Sequence, residues 1–340
     1  MSEPTNEQDS RSRLQQMLPD IRVISMIYVA AKLKIADSLI KGPLNVEVLA
    51  LASNVHAPTL YRLLRALASR GIFKEVESRM FELTDLAELL RSDIPGSMRN
   101  TALWLGEPWR WRPFGELLYS VQTGKPSFNY VFNQGMFDYL NANSEAGAIF
   151  NQTMTQASVR QGAAVAENYD FNQASLVIDI GGGHGALLSE ILKRYPLVQG
   201  VLFDLPEVIE NAASLLSAEG VLDRCKLVEG SFFDELPRGG DIYLLKLIIH
   251  DWDDEHASSI LQNCHTAMRK DSTLLLVEWV IPPGNGLHHG KIIDLEMLTL
   301  FGSQERTEEE YQHLLRNAGF ALKSILPTSA GIDIIEATPL

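Results

Sequence analysis

The chain has 340 residues, 46% of them hydrophobic and 21% charged, and its 29 basic against 43 acidic side chains leave a formal net charge of −14. That length allows two domains with separate cores, and the acidity disfavours nucleic acid and anionic membrane surfaces as partners. The two cysteines, Cys225 and Cys264, stand at no metal-ligand spacing, which argues against a disulfide framework and suits a reducing compartment. The first twenty residues lack the apolar core of a signal peptide, and no apolar run reaches transmembrane length, so a soluble, cytoplasmic protein is expected.

Residues 1–12 are polar and expected to be disordered. From Ile21 to Ile40, Val23, Ile24, Ile27, Tyr28, Ala31, Ile35 and Leu39 repeat at helical spacing with further apolar residues beside them. A helix apolar on more than one side is buried or sits in a subunit interface, and Gly42-Pro43 stops this one. A helix over 45–52, a turn over 53–56, a helix over 57–70 capped by Gly71, and short strands over 72–76 and 80–84 follow. This order is a winged helix-turn-helix layout. Tyr61, Arg62, Arg65 and Arg70 are candidates for DNA phosphate contacts, but the overall acidity and the lack of a larger basic cluster favour a scaffold.

Aromatic residues crowd the stretch from Trp104 to Tyr139, where packing is the default reading and a pocket for a flat substrate the alternative. A helix around Phe150 to Val165 leads to a boundary at 169–172. Next, Val177-Ile178-Asp179-Ile180 meets Gly181-Gly182-Gly183-His184-Gly185, and Leu187, Leu188, Ile191 and Leu192 continue at helical spacing. Such a strand–loop–helix junction suits a nucleotide-like ligand. Glycines let the backbone turn and be approached closely, and the helix start offers unpaired N–H groups. Gly181-x-Gly183-x-x-Ala186, with Asp204 about 20 residues on, also satisfies the loose dinucleotide pattern; a turn that merely needs small residues satisfies it equally.

Apolar strands over 199–204, 225–230, 241–246 and 272–279, separated by helices, imply a parallel sheet covered on both faces. Ligands of such sheets bind beyond the strand C-termini. Asp204, Ser231, Phe232, Lys246 to His250, and Glu278 all fall at those ends.

The run Asp179-x-Gly181-Gly182-Gly183-x-Gly185, Phe203-Asp204-Leu205-Pro206, Gly230-Ser231-Phe232-Phe233, Lys246-x3-His250-Asp251-Trp252-x-Asp254-Glu255, and Asp294-Leu295-x-Met297-Leu298 leading to Glu305-Arg306-Thr307 resembles the class I, S-adenosylmethionine-dependent O-methyltransferases of the plant caffeate and flavonoid type and their bacterial relatives in secondary metabolism. The motifs cover most of 175–320, and the wing pattern extends the likeness over nearly the whole chain. The resemblance implies an α/β fold, a Rossmann-like methyltransferase domain behind an N-terminal, mainly helical winged-helix domain. The expected division is a winged-helix dimerisation domain over 13–100, a helical linker and substrate lid over 101–168, and a cofactor-binding domain over 169–340. It also implies a homodimer.

For the cofactor, S-adenosylmethionine, the resemblance implies that Asp204 accepts hydrogen bonds from the ribose hydroxyls and Phe232 packs on the adenine. Lys246 stands at the cofactor rim, and Asp179, Gly181, Gly183 and Ser231 complete the set. His250 is implied as general base for a hydroxyl of an aromatic or polyketide-like small molecule, with Glu278 and Glu305 bracketing the imidazole; an imidazole titrates near neutrality and suits that task. Phe150 and Met154 match the family's substrate clamp, joined by Met297, though at helical spacing they also suit a helix core. No metal is implied. His184 replaces a small residue of the plant pattern, Ser231 replaces an acid, and Phe301 lies near the place of a substrate-contacting asparagine, so phenylpropanoid specificity is not carried over. The competing readings are an N-methyltransferase or a diverged member of the same fold, a winged-helix regulator that senses a nucleotide, and a nicotinamide-dependent oxidoreductase.

Overall fold

Apolar periodicity broken by glycine and proline stops divides the chain into short helices and strands, shown here in a computed structural model that describes residues 11, 14, 17, 18 and 20–340. The leader expected to be disordered over 1–12 lies, Arg11 apart, outside the described residues. The chain forms two compact units, one of residues 1–112 with 144–153 and one of 113–143 with 154–340. Among the described residues no helix is long and apolar enough to cross a membrane.

In the first unit the helix expected over Ile21–Ile40 is two, Asp20–Lys32 and Ile35–Ser38, because Lys34 adopts φ 54° between them. The left-handed turn costs about 1 kcal/mol or more. It is offset by the burial of Ile35, Ala36 and Leu39 against Val46, Leu49 and Leu64. Helices Val46–Ala52 and Ala57–Ala68 follow, the first capped by the Asn45 side chain. Strands β1 (Leu44–Asn45), β2 (Lys74–Glu77) and β3 (Met80–Glu82) form an antiparallel sheet in the order β1-β3-β2. The wing begins later than its sequence suggests, since Phe73 sits at φ 64° with its ring buried in the core. The Tyr61 ring carries the guanidinium of Arg79 at 4.6 Å and that of Arg65 at 5.4 Å, and Arg79 also pairs with Glu47.

Helix Arg99–Gly106 packs on Asp20–Lys32 with Gly106 against the Tyr28 ring, where any Cβ would clash with the tyrosine Cβ. Gly106→Ala should therefore destabilise the protein by about 1–3 kcal/mol, as overpacked cores do. A thermal melt matching wild type would refute this close approach.

The aromatic stretch becomes five short helices, Arg99–Gly106, Pro108–Gly115, Leu117–Thr123, Ser127–Phe132 and Met136–Ala142. Its rings pack mostly on one another: Trp104 with Trp109 in the first unit, and Phe128, Phe132 and Tyr139 together in the second. The helix expected over Phe150–Val165 is longer, Ser144–Asn168, and passes from the first unit into the second.

The second unit holds a sheet of β4 (Leu176–Ile180), β5 (Gln199–Asp204), β6 (Cys225–Glu229), β7 (Ile242–Lys246), β8 (Thr273–Glu278), β11 (Phe320–Pro327) and β12 (Asp333–Pro339) in the order β11-β12-β8-β7-β4-β5-β6. The five strands expected from the sequence are parallel; β12 joins β8 antiparallel and β11 joins β12 likewise. Apolar clusters fill both faces, one including Ile178, Tyr243 and Leu276, the other Val177, Leu244 and Leu275. The strand order reverses between β4 and β7, and the site is expected outside the strand C-termini there. A separate parallel pair, β9 (Val280–Ile281) and β10 (Arg306–Thr307), sets Arg306 opposite Val280. This short ladder carries Glu278 and Glu305 to the same place, although they lie far apart in sequence.

Candidate functional site

The glycine loop extends β4. The N–H of Gly181 donates to the Phe203 carbonyl at 2.8 Å, and helix Ala186–Arg194 starts after Gly185. Gly181 and Gly183 have φ of 66° and 61°, conformations that side chains resist. A Cβ at Gly181 would meet the Ile248 side chain at 2.6 Å, whereas one at Gly183 would meet nothing within 4 Å, so the loop is open on that side. Asp204, at the end of β5, accepts from the Gly183 N–H at 2.8 Å and from the Leu205 N–H at 2.7 Å. Burial raises its pKa, and those two N–H groups oppose the rise.

Asp179 lies beneath the loop, buried, with neither carboxylate oxygen hydrogen-bonded. Burial pushes its pKa up to about 7 against the pull of Lys246, and Asp204 adds to the rise. Lys246, at the end of β7, is lowered by burial and held up by Asp179 and Glu278; its ammonium donates to the Gln161 side chain at 3.4 Å. Phe232 follows β6, its ring edge-on to Phe233 and Trp252 and its carbonyl held by Asn263. The Ser231 hydroxyl accepts from the Phe233 N–H at 3.2 Å. S-adenosylmethionine combines two cationic groups, a ribose diol and a flat base. Two carboxylates with spare lone pairs, an open glycine backbone and an aromatic ring fit it.

Beyond β7, a one-turn 3-10 helix, Ile249–Asp251, carries His250, which is only 7% exposed. Its Nδ1 stands 2.7 Å from Glu305 Oε1 and 3.9 Å from Glu278 Oε2, and its Nε2 is 3.4 Å from Asp251 Oδ1. The other oxygen of Glu278 accepts from the Ile248 and Ile249 N–H groups at 3.1 and 2.9 Å, so the same carboxylate holds the turn and faces the ring. Glu278 Oε2 and Glu305 Oε2 are buried without hydrogen-bond partners. Burial alone would lower the His250 pKa, but Asp251, Glu278 and Glu305 outweigh it and raise the value to about 10. Burial in turn lifts Glu278 to about 7 against the pull of His250. Among the described residues, His250, Glu278 and Glu305 are the one set of three whose ligand atoms, within 4.8 Å of one another, could share a cation.

The structure thus gathers Asp179, Gly181, Gly183, Asp204, Ser231, Phe232, Lys246, His250, Glu278 and Glu305 in one unit at the strand ends. Phe150 instead packs on Trp104 in the first unit, at 5.4 Å between ring centroids. Met154 and Met297 belong to the second, with Met297 buried on helix Gly290–Leu300. Sequence reasoning passed over three polar residues here. Asp251 faces Nε2; Asp294 accepts the Glu305 N–H at 2.9 Å; and Gln161 meets Lys246. Asp251 and Asp294 lay inside quoted motifs and were visible, but nothing local marked Gln161, in mid-helix 85 residues before Lys246.

Residues 114–321 match the O-methyltransferase domain family, and residues 16–93 match the O-methyltransferase dimerisation domain. The chain is 44% identical over 329 residues to a phenazine O-methyltransferase of Lysobacter antibioticus, covering 97% of this chain and 96% of that protein. It is 34% identical to an 8-amino-8-demethylriboflavin N,N-dimethyltransferase of Streptomyces davaonensis, over 98% and 97% of the two. A crystal structure of an O-methyltransferase from neocarzinostatin biosynthesis, bound to S-adenosylmethionine and 2-hydroxy-5-methyl naphthoic acid, superposes with a TM-score of 0.82 at 32% identity, covering 94% of this chain and 96% of that one. The chain belongs to the O-methyltransferase family, S-adenosylmethionine-dependent methyltransferases with an N-terminal dimerisation domain.

Proposed function

We propose that the protein methylates a hydroxyl group on a fused or polycyclic aromatic small molecule, with His250 as general base. The observation that carries this is the buried imidazole hydrogen-bonded at 2.7 Å to Glu305, with Glu278 behind it. In the neutral imidazole, which forms as the pH rises through the raised His250 pKa, Nδ1–H is donated to Glu305 and the lone pair sits on Nε2, the atom that takes the hydroxyl proton. Asp251, beside Nε2, then stabilises the imidazolium. When bound, S-adenosylmethionine supplies a methyl group on a positively charged sulfur. A phenolic oxygen becomes a good nucleophile only as its proton leaves, and His250 Nε2 would take that proton. Phe232 would pack on the cofactor's base, Asp204 would hold its ribose, and Asp179, Gly181, Gly183, Ser231 and Lys246 would line the remainder. Met154 and Met297, both in the second unit, would contact the ring of the acceptor, and the sulfur of methionine suits such a face; Phe150 is a proposed substrate contact by family resemblance alone. The relatives with phenazine and naphthoic acid in their names support a polycyclic acceptor.

In this reading residues 13–100 dimerise, 101–168 link and cover, and 169–340 bind the cofactor. The dimerisation-domain match supports a homodimer. Incubation with S-adenosylmethionine and a panel of hydroxylated and amino-substituted phenazines and naphthoates, followed by fragment mass spectrometry, tests the acceptor. Methyl groups found only on nitrogen would replace O-methylation with the reading that the N,N-dimethyltransferase relative favours.

The pH profile tests the base. A carboxylate beside an imidazolium stabilises the charged form, so the acid limb of kcat/KM should lie above the ordinary imidazole value of 6.5. Glu305→Gln removes one such charge and should move that limb to lower pH, by roughly one unit. A limb that stays in place would remove Glu305 from the imidazole's control.

A further inference from the structure

The contact between His250 and Glu305 joins residues 55 apart in sequence, and neither carboxylate oxygen of Glu305 has another hydrogen-bond partner to hold it. The β9–β10 ladder and Asp294, which accepts the Glu305 N–H, place Glu305 from its own side, and the distance then depends on what holds the His250 turn. Glu278 secures the His250 turn only from its N–H side. Its carbonyl side is held by the neighbour of Glu305. Arg306, 1% exposed, donates from Nη1 to the Ile249 carbonyl at 3.1 Å and from Nη2 to the Trp252 carbonyl at 2.9 Å. Nε and Nη2 also reach Asp254 Oδ1 at 3.0 and 2.8 Å, at the start of helix Asp254–Ala267.

We propose that Arg306 is a positioning residue that locks the turn carrying His250 onto the strand that Glu305 immediately precedes, and so holds the imidazole in the tautomer and place that proton removal requires. The proposal rests on His250 being the base. A guanidinium suits this task because its planar fork spans several acceptors at once, while an ammonium is a single point of charge. The Ile249 carbonyl opens the one-turn helix and also accepts the Trp252 N–H at 3.3 Å, whereas the Trp252 carbonyl lies at its C-cap, where such groups have few intrahelical partners. Arg306 also carries a permanent positive charge, paired with Asp254 and next in sequence to Glu305. Neutralisation alone would ask only for charge; three acceptors on two different segments ask for the fork.

Two variants separate these roles. Arg306→Lys keeps the charge and loses the fork. Asp254→Asn loosens the fork from a side chain that is 71% exposed, with little risk to folding. Each is measured by kcat and KM per site that binds S-adenosylhomocysteine, and by proton NMR for the far-downfield Nδ1–H resonance of the short His–Glu hydrogen bond, assigned by its loss in His250→Ala. Arg306→Lys is expected to lower kcat by about 100-fold, the cost of a misplacement near 1 Å. Acceptor KM and cofactor affinity should stay near wild type, and the resonance should broaden or move upfield. Asp254→Asn should do the same more weakly. Wild-type kcat in both variants, or a fall in kcat with the resonance undisturbed, would overturn the proposal. If His250→Ala itself kept wild-type turnover, the base reading would fail instead, while the NMR signal would still report whether Arg306 holds the contact.

Discussion

His250→Ala is expected to lower kcat by about 10²- to 10⁴-fold, the span that a positioned general base contributes, with cofactor affinity nearly unchanged. The second half of that expectation follows from the layout. Asp204, the glycine loop and Phe232 sit at the ends of β4, β5 and β6, whereas His250 follows β7 and is held by Glu278, Glu305 and the turn's own backbone. Calorimetry with S-adenosylhomocysteine beside single-turnover kinetics measures both halves. Turnover within a few-fold of wild type would remove the histidine as base. The variant should also change how stability depends on pH. In wild type the His250 pKa is raised from 6.5 to about 10, so its stabilising charge is fully present below 6.5 and is lost as the pH climbs through about 10. His250→Ala lacks that contribution throughout. The melting-temperature gap between the two proteins should thus narrow across that window, and a constant gap would mean the folded imidazole titrates as it does in the unfolded chain.

The cofactor half of the molecule was legible in the sequence because its information is local. Gly181 and Gly183 interrupt an apolar strand, and Asp204 ends the next one, so spacing alone put them at strand ends beside each other. The contact of His250 with Glu305 was not readable from spacing, since it depends on the two-residue pairing of β9 with β10, too short to leave a period. That expectation came through family resemblance. Arg306 stood in the quoted motif, yet an arginine next to a glutamate reads as a surface charge until its burial is seen. The break at Lys34 and the late start of β2 at Lys74 share a cause: a non-glycine residue accepts a left-handed backbone when tertiary burial offsets the strain. Strands β11 and β12 went unread; their antiparallel edge departs from the strand–helix alternation that identified the rest.

Asp204→Ala is expected to weaken binding of S-adenosylhomocysteine by about 10²-fold or more, since a hydrogen bond to a charged group contributes about 1.5–3 kcal/mol and two from the ribose would be lost. Asp204→Asn should fall between, as the amide keeps one acceptor oxygen. A competing explanation exists in the structure. Asp204 also accepts the N–H groups of Gly183 and Leu205, so loosening of the glycine loop is a second route by which the substitution weakens binding. A cofactor product lacking the ribose 2′-hydroxyl separates the two. If Asp204 reads the ribose, removing that hydroxyl weakens binding to wild type and has little further effect on Asp204→Ala. If Asp204 only ties down the loop, the hydroxyl's removal costs the same in both proteins. A cycle of four affinities therefore isolates the direct contact, because any loop effect enters both ligands of the variant equally and cancels.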